Sequence, residues 1–308
     1  MLMQGKGKEV GRTNCLHFLQ FHDGWRMIKT VLQTIQDGAA YLEKRGVENG
    51  RLNMEHLLAH VLQCKRMQLY LWFDRPLVEG ELAPLRDLTM RRGKREPLQH
   101  LLGTVEFYGR EFLCDARALI PRPETEELVE KIVANVRSAG KVPARILDVG
   151  AGSGVIGLSL ALAWPEADVT LADISPDALQ LAGANGAKHG REVRLVQTDL
   201  WAALPGERFS LVSANLPYIP SVEIAQLEAE VQKDPSLALD GGTEGHEIMM
   251  RFIAVLPEHL ESGAVVAMEI GPGQGALLQE ALEHAGLASV QVLNDYSGRE
   301  RFVFAVNS

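Results

Sequence analysis

The sequence predicts an α/β fold: a doubly wound sheet of seven strands whose last strand pair is antiparallel, preceded by an N-terminal helical domain. Three observations carry this. From Arg145 onward, short and almost continuously apolar stretches alternate with helical ones, as strands covered on both faces of a parallel sheet require. The last two apolar stretches are joined only by "DYSGRE", too short for a crossover, so they pair antiparallel. Ahead of Arg95 the apolar residues recur at three- and four-residue steps, the period of a helix face.

The chain has 308 residues, 46% of them hydrophobic and 23% charged, which is globular and long enough for two domains. Its net charge of −9, from 31 basic and 40 acidic residues, argues against a broad phosphate-binding surface, so no direct nucleic-acid target is expected. Cys15, Cys64 and Cys114 lie far apart without a CxxC pair. That pattern indicates neither a disulfide framework nor a cysteine zinc site, and a reducing cytoplasm is expected. The longest apolar stretch, Gly154 to Trp164, is too short to span a bilayer. Residues 1–24 lack the apolar core of a signal peptide and read as a frayed extension.

Residues 25–96 form the helical domain. Ile28, Val31, Leu32, Ile35, Ala39 and Leu42 line one helix face, and Asn53 can cap a second helix carrying Leu57, Leu58, Val61 and Leu62. Leu69 to Trp72, and Leu82, Leu85 and Leu88, mark two more. His56 and His60 stand four apart with no third ligand in view, so they read as ordinary helical residues and no metal is expected. "RRGKR", Arg91 to Arg95, reads as a solvated helix end, with an RNA or acidic partner as the alternative. Residues 97–120 alternate, with Gly103 and Gly109 as breakers, and are expected to form a β-hairpin linker. Residues 121–308 open with a helix that has Pro123 in its first turn and acids beside it, then continue as the strand-and-helix domain.

The first strand of that domain runs into "ILDVGAGSGVIG". Gly150, Gly152 and Gly154, with Ala151 and Ser153 between them, allow a tight turn and close backbone approach before a helix N-terminus. The shifted register Gly152, Gly154, Gly157 also fits the dinucleotide fingerprint, so a dinucleotide-dependent oxidoreductase stays open. Asp148 ends the same strand and can either fix the turn or face a cationic ligand. Asp173 ends the second strand, where a carboxylate can take ribose hydroxyls. Asp199 ends the third and can accept from an adenine amine or cap a turn, with Leu200 beside it to cover an adenine face. Three acidic strand ends around one glycine loop, with no arginine expected nearby for a pyrophosphate, favour a positively charged ligand, and S-adenosylmethionine is one.

The fourth strand, "FSLVSAN", ends on Asn215 and continues as Leu216, Pro217 and Tyr218. In a doubly wound sheet this strand sits beside the first, across the ligand crevice. Asn215 Oδ1 and the Leu216 carbonyl can accept both N–H bonds of a planar nitrogen, Pro217 stiffens the carbonyl, and Tyr218 can pack on the planar group.

"NLPY" resembles the (N/D/S)-P-P-(Y/F/W) motif of methyltransferases acting on planar nitrogens. Together with "PLQHLLGTVEFYG", "LIPRPETEELV", "ILDVGAGSG" and "DYSGRERFV", it makes residues 28–306 resemble the HemK/PrmC type of glutamine N5-methyltransferase. The resemblance implies a class I S-adenosylmethionine-dependent methyltransferase fold and methylation of the glutamine in the GGQ motif of peptide chain release factors. It also implies that the helical domain docks the protein substrate, that Asn215 to Tyr218 carry catalysis and substrate binding, and that Phe107 borders the glutamine, with core or hairpin packing as the alternative for Phe107. "RPETE" matches this branch better than the ribosomal-protein-modifying branch, which is the alternative. Two departures are Leu216, in place of the first proline, and Asp234, where the family more often has Glu.

Overall fold

The computed structural model describes residues 29–308. The expected N-terminal extension, Cys15 and Ile28 lie outside them. Thr30 opens the helical part: its hydroxyl accepts from Gln33 N at 3.3 Å, and the Gln33 side chain accepts from Thr30 N at 3.2 Å, a reciprocal cap that starts α1 (Val31–Glu43). Then come α2 (Gly50–Val61), α3 (Arg66–Leu69), α4 (Glu79–Arg92) and α5 (Leu98–Leu102). Ile35, Leu42, Met54, Leu57, Leu58, Leu69 and Leu85 bury their side chains in one shared core.

Three expectations fail here. Asn53 does not cap α2, which starts at Gly50. The side chain is turned inward, with Nδ2 donating to the carbonyls of Glu48 and Asn49 and Oδ1 accepting from Arg92 Nε at 2.8 Å. Residues 97–120 are not hairpin throughout, because Leu98–Leu102 is helical and the hairpin is confined to β1 (Thr104–Phe107) and β2 (Arg110–Leu113). The basic run also differs from a solvated helix end. Arg92 is buried, and it and Arg95 grip Glu230 at 2.8 and 2.6 Å, tying the helical part to a distant loop.

After the hairpin, α6 (Pro123–Ser138) has proline at its start and Glu124 and Glu126 in its first turn. Then follow β3 (Arg145–Val149), α7 (Val155–Ala163), β4 (Asp168–Asp173), α8 (Pro176–Lys188), β5 (Arg194–Gln197), β6 (Phe209–Asn215), β7 (Ile219–Pro220) and β8 (Asp240–Gly242). The chain ends with α9 (Glu247–Val255), β9 (Leu260–Glu269), α10 (Gly275–His284), β10 (Ala288–Asn294) and β11 (Glu300–Val306). Seven strands form one sheet in the order β10-β11-β9-β6-β3-β4-β5. All neighbours pair parallel except β11, which runs against both β9 and β10.

Alternation along the central strands fills a core on each face. Ile146, Leu211, Val265 and Phe302 face α6 and α7. Their neighbours Leu147, Val212, Val266 and Val303 face α9 and α10. The strand β6 lies beside β3, with Asp148 opposite Ser213 and Val149 opposite Ala214.

Asp148 welds this centre together. Fully buried, it accepts from Gly157 N at 2.9 Å and from Ser213 Oγ at 2.8 Å, joining β3 to the first turn of α7 and to β6. Burial pushes its pKa up to about 7, against the pull of those two hydrogen bonds. The unfolded carboxyl titrates near ~3.9. The folded protein thus keeps a proton that the unfolded chain has released, so this group's contribution is complete below about pH 4 and is lost as pH climbs to about 7. Asp148→Asn retains an acceptor and a donor but does not titrate. Its stability relative to wild type, read from urea midpoints, should rise between about pH 5 and pH 8. At Gly157 an added Cβ would stand 2.2 Å from Leu171 Cδ2 and 3.0 Å from Asp148 Cβ. Gly157→Ala should therefore lose about 1–3 kcal/mol in chemical denaturation.

Candidate active site

The turn from β3 to α7 and the end of β6 are in contact. A Cβ on Gly150 would stand 3.1 Å from the Asn215 carbonyl oxygen and 3.0 Å from Leu216 Cδ2, and φ there is +70°, so glycine suits both the left-handed backbone and the close approach of the two strand ends. Asp173, at the end of β4, holds the turn from the other side: one oxygen accepts from Gly152 N and the other from Ser175 N, each at 2.8 Å. Burial raises its pKa.

A cavity of about 300 Å³ opens over this turn, lined by Gly150, Ala151, Gly152, Ser153, Asp173, Asp199, Leu200 and Asn215 to Pro217, among others. A second, of about 220 Å³, is lined by Asn215, Leu216, Tyr218, Glu269 and Arg301. Both share Asn215 and Leu216, so the end of β6 forms the boundary between them.

At that boundary the hydrogen bonding is asymmetric. Asn215 Nδ2 donates to Glu269 Oε2 at 3.0 Å and lies 3.4 Å from Thr125 Oγ1. Neither Asn215 Oδ1 nor the Leu216 carbonyl accepts a hydrogen bond from the described residues. Glu269 is 2% exposed and burial raises its pKa. It also receives the Thr125 hydroxyl at 2.7 Å and the Tyr218 hydroxyl at 3.4 Å. Tyr218 is pushed up to about 12, by burial first and by Glu269 beside it, so it remains a phenol. Gln274 fixes the backbone below, its Nε2 donating to the carbonyls of Tyr218 and Gly245 at 3.1 Å and its Oε1 accepting from Gly271 N.

Several expected site residues stand elsewhere. Asp148 lies beneath the turn, fully buried and apart from the cavity lining, with its oxygens on Gly157 N and Ser213 Oγ, which matches the turn-fixing one of its two anticipated roles. Gly154 caps α7 and faces Ala182, Leu158 and Leu171. Phe107 is 1% exposed and packs edge-on against Phe112 in the α6–α7 core, because the pleat of the short hairpin turns it inward. Asp199 does line the cavity, but Arg251 Nη2 holds it at 2.7 Å.

The expectation of no nearby arginine also fails. Arg117, Arg122 and Arg251 all line the cavity, brought in from outside the strand ends. Each is already paired, to Asp115, Asp234 and Asp199 respectively. The turn spends the amides of Gly152 and Gly157 on the carboxylates of Asp173 and Asp148.

Sequence reasoning passed over Glu269, Gln274 and the pairing role of Thr125. A signal for Glu269 is present: "AVVAMEIG" carries an acid at the end of an apolar strand, as β4 does, and β3 has one a residue before its end. Among the described residues no helix is long and apolar enough to cross a membrane.

Comparison with known proteins fits both halves of this geometry. Residues 33–103 match the PrmC N-terminal domain and residues 125–231 the methyltransferase small domain. The release factor glutamine methyltransferase of Geobacter sulfurreducens is 38% identical over 277 residues, covering 90% of this chain and 96% of the relative. That of Deinococcus radiodurans is 38% identical, covering 88% and 96%, and that of Chlorobaculum tepidum 38%, covering 90% and 96%. With such identity sustained across the helical part and the sheet alike, the chain belongs to the release factor glutamine methyltransferase family.

Proposed function

We propose that this chain transfers a methyl group from S-adenosylmethionine to the side-chain amide nitrogen, N5, of the glutamine in the GGQ motif of peptide chain release factors, in the cytoplasm where those factors act. The observation that carries this is the pair of acceptors at the end of β6, Asn215 Oδ1 and the Leu216 carbonyl, which take no hydrogen bond from the described residues and border both cavities.

The larger cavity fits the donor. Its glycine turn leaves room for a ligand against the backbone, and Asp173 offers a carboxylate at the end of β4. Gly150 to Ser153, Asp173, Asp199 and Leu200 would hold S-adenosylmethionine. When bound, it supplies an electrophilic methyl carbon on a sulfonium.

The chain's own residues select and aim the nucleophile. A carboxamide nitrogen has a delocalised lone pair, so it needs positioning more than deprotonation. Asn215 Oδ1 and the Leu216 carbonyl accept its two N–H bonds. Pro217 restricts the backbone behind that carbonyl, and the neutral, half-buried Tyr218 supplies a flat surface for the planar group. A glutamate carboxylate would set its lone pairs against both acceptors, at about 1–3 kcal/mol for each unmatched group. The helical part provides the surface on which the release factor rests, holding its glutamine loop at the gap.

Incubation with a release factor and S-adenosylmethionine, followed by peptide fragmentation, should place one added methyl on the GGQ glutamine; methylation elsewhere, or none, refutes the reading. S-adenosylhomocysteine should bind and NAD should not, as equilibrium titration would record. Asn215→Ala should lower kcat by about 10²–10³-fold while keeping affinity for S-adenosylhomocysteine. Leu216→Pro keeps the carbonyl and gives up side-chain packing over Gly150. Its turnover in a labelled-methyl assay should stay within about tenfold of wild type, and abolition in a folded protein would exclude the carbonyl's role.

A further inference from the structure

The acceptor role of Asn215 holds for only one rotation of its amide. Turned the other way, Nδ2 would point into the gap and meet the substrate's N–H donors head-on. An isolated asparagine has little preference between the two, so something on the protein side must choose.

That side is made of acceptors. An ionised carboxylate accepts and cannot donate, and Glu269 Oε2 stands 3.0 Å from Asn215 Nδ2. The Thr125 hydroxyl gives its proton to the same carboxylate at 2.7 Å, so toward Asn215 it offers only a lone pair, at 3.4 Å. Tyr218 OH supplies a third donor to Glu269, and Arg301 Nη1 reaches that phenol at 3.3 Å. With three donors converging on it, the buried carboxyl is built to be an acceptor. Reversing the Asn215 amide would set Oδ1 against it.

Resting on the function proposed above, we infer that Glu269 is a positioning residue: it fixes the rotation of the Asn215 amide and so makes the gap select a carboxamide over a carboxylate.

A two-residue exchange tests this, with turnover on a GGQ release factor as the readout. Wild-type turnover reads the function itself; the ratios among variants read Glu269. Glu269→Gln introduces a donor and lets both rotations form. It should lose about tenfold or more in kcat, bind S-adenosylhomocysteine within about twofold of wild type, and be inhibited more strongly than wild type by a GGE release factor. Asn215→Asp places a carboxylate against Glu269 and should lose about 10²–10³-fold. Adding Glu269→Gln to it should recover at least about tenfold, because the new amide at 269 donates to one oxygen of the new carboxylate and the other oxygen faces the gap as an acceptor. A purely structural role predicts no such recovery. Wild-type kcat in a folded Glu269→Gln protein, or a double variant no more active than Asn215→Asp although both bind S-adenosylhomocysteine, would overturn the inference. Should Glu269→Gln alone not fold, the comparison of Asn215→Asp with the double variant decides.

Discussion

The close approach of Gly150 to the Asn215 carbonyl is the constraint on which the rest of the site is built. Strands β3 and β6 are neighbours in the sheet, so their ends would be near one another in any protein of this topology. A side chain at 150 would crowd this approach, since its first carbon would stand 3.1 Å from the carbonyl oxygen on a left-handed backbone. With glycine there, the turn into α7 and the motif after β6 share a wall, and one residue, Asn215, borders two cavities at once. A site that brings two molecules to one boundary needs this closeness more than it needs any particular charged group.

Acidic residues then decide what the boundary accepts. Asp148, Asp173 and Glu269 each stand at or one residue before the end of a strand, and burial raises the pKa of all three. Taken alone, a buried carboxylate costs several kcal/mol. Each is offset by donors that would otherwise be orphaned: Gly157 N and Ser213 Oγ, Gly152 N and Ser175 N, Thr125 Oγ1 and Asn215 Nδ2. The consequence is chemical as well as structural. Two amides around the glycine turn are tied to carboxylates, and an asparagine that could have offered either end of its amide offers its oxygen.

Period and connection length made the sheet legible in sequence. β3, β4, β6, β9 and β11 read as apolar runs, and the short link before β11 required the reversal. Partners far apart in the chain did not show. Asn53 resembles a helix cap until Arg92, 39 residues on, claims its oxygen. Leu98–Leu102 is an apolar run too short to separate helix from strand by pattern. Phe107 was assigned by likeness, and the pleat of its hairpin turned it into the core. The acceptor pair proposed at Asn215 and Leu216 needs only neighbouring residues, whose nearness the sequence itself carries. The group that orients one of them comes from β9, 54 residues later.

The same remoteness explains how the helical part reaches the chemistry. Between β7 and β8 the chain passes the site and is gripped twice: Glu230 by Arg92 and Arg95, and Asp234 by Arg122 at 2.8 Å with Ile120 N beside it. Pro235 and Leu237 line the larger cavity, Val231 and Leu239 the smaller, and Ala238 both. Buried ion pairs add little net stability over apolar packing, yet removing one partner strands a charge. Their use here is to set position. In the proposed function a release factor resting on the helices meets a gap whose outer wall hangs from those helices, so the distance from docking surface to methyl donor is fixed before the substrate arrives.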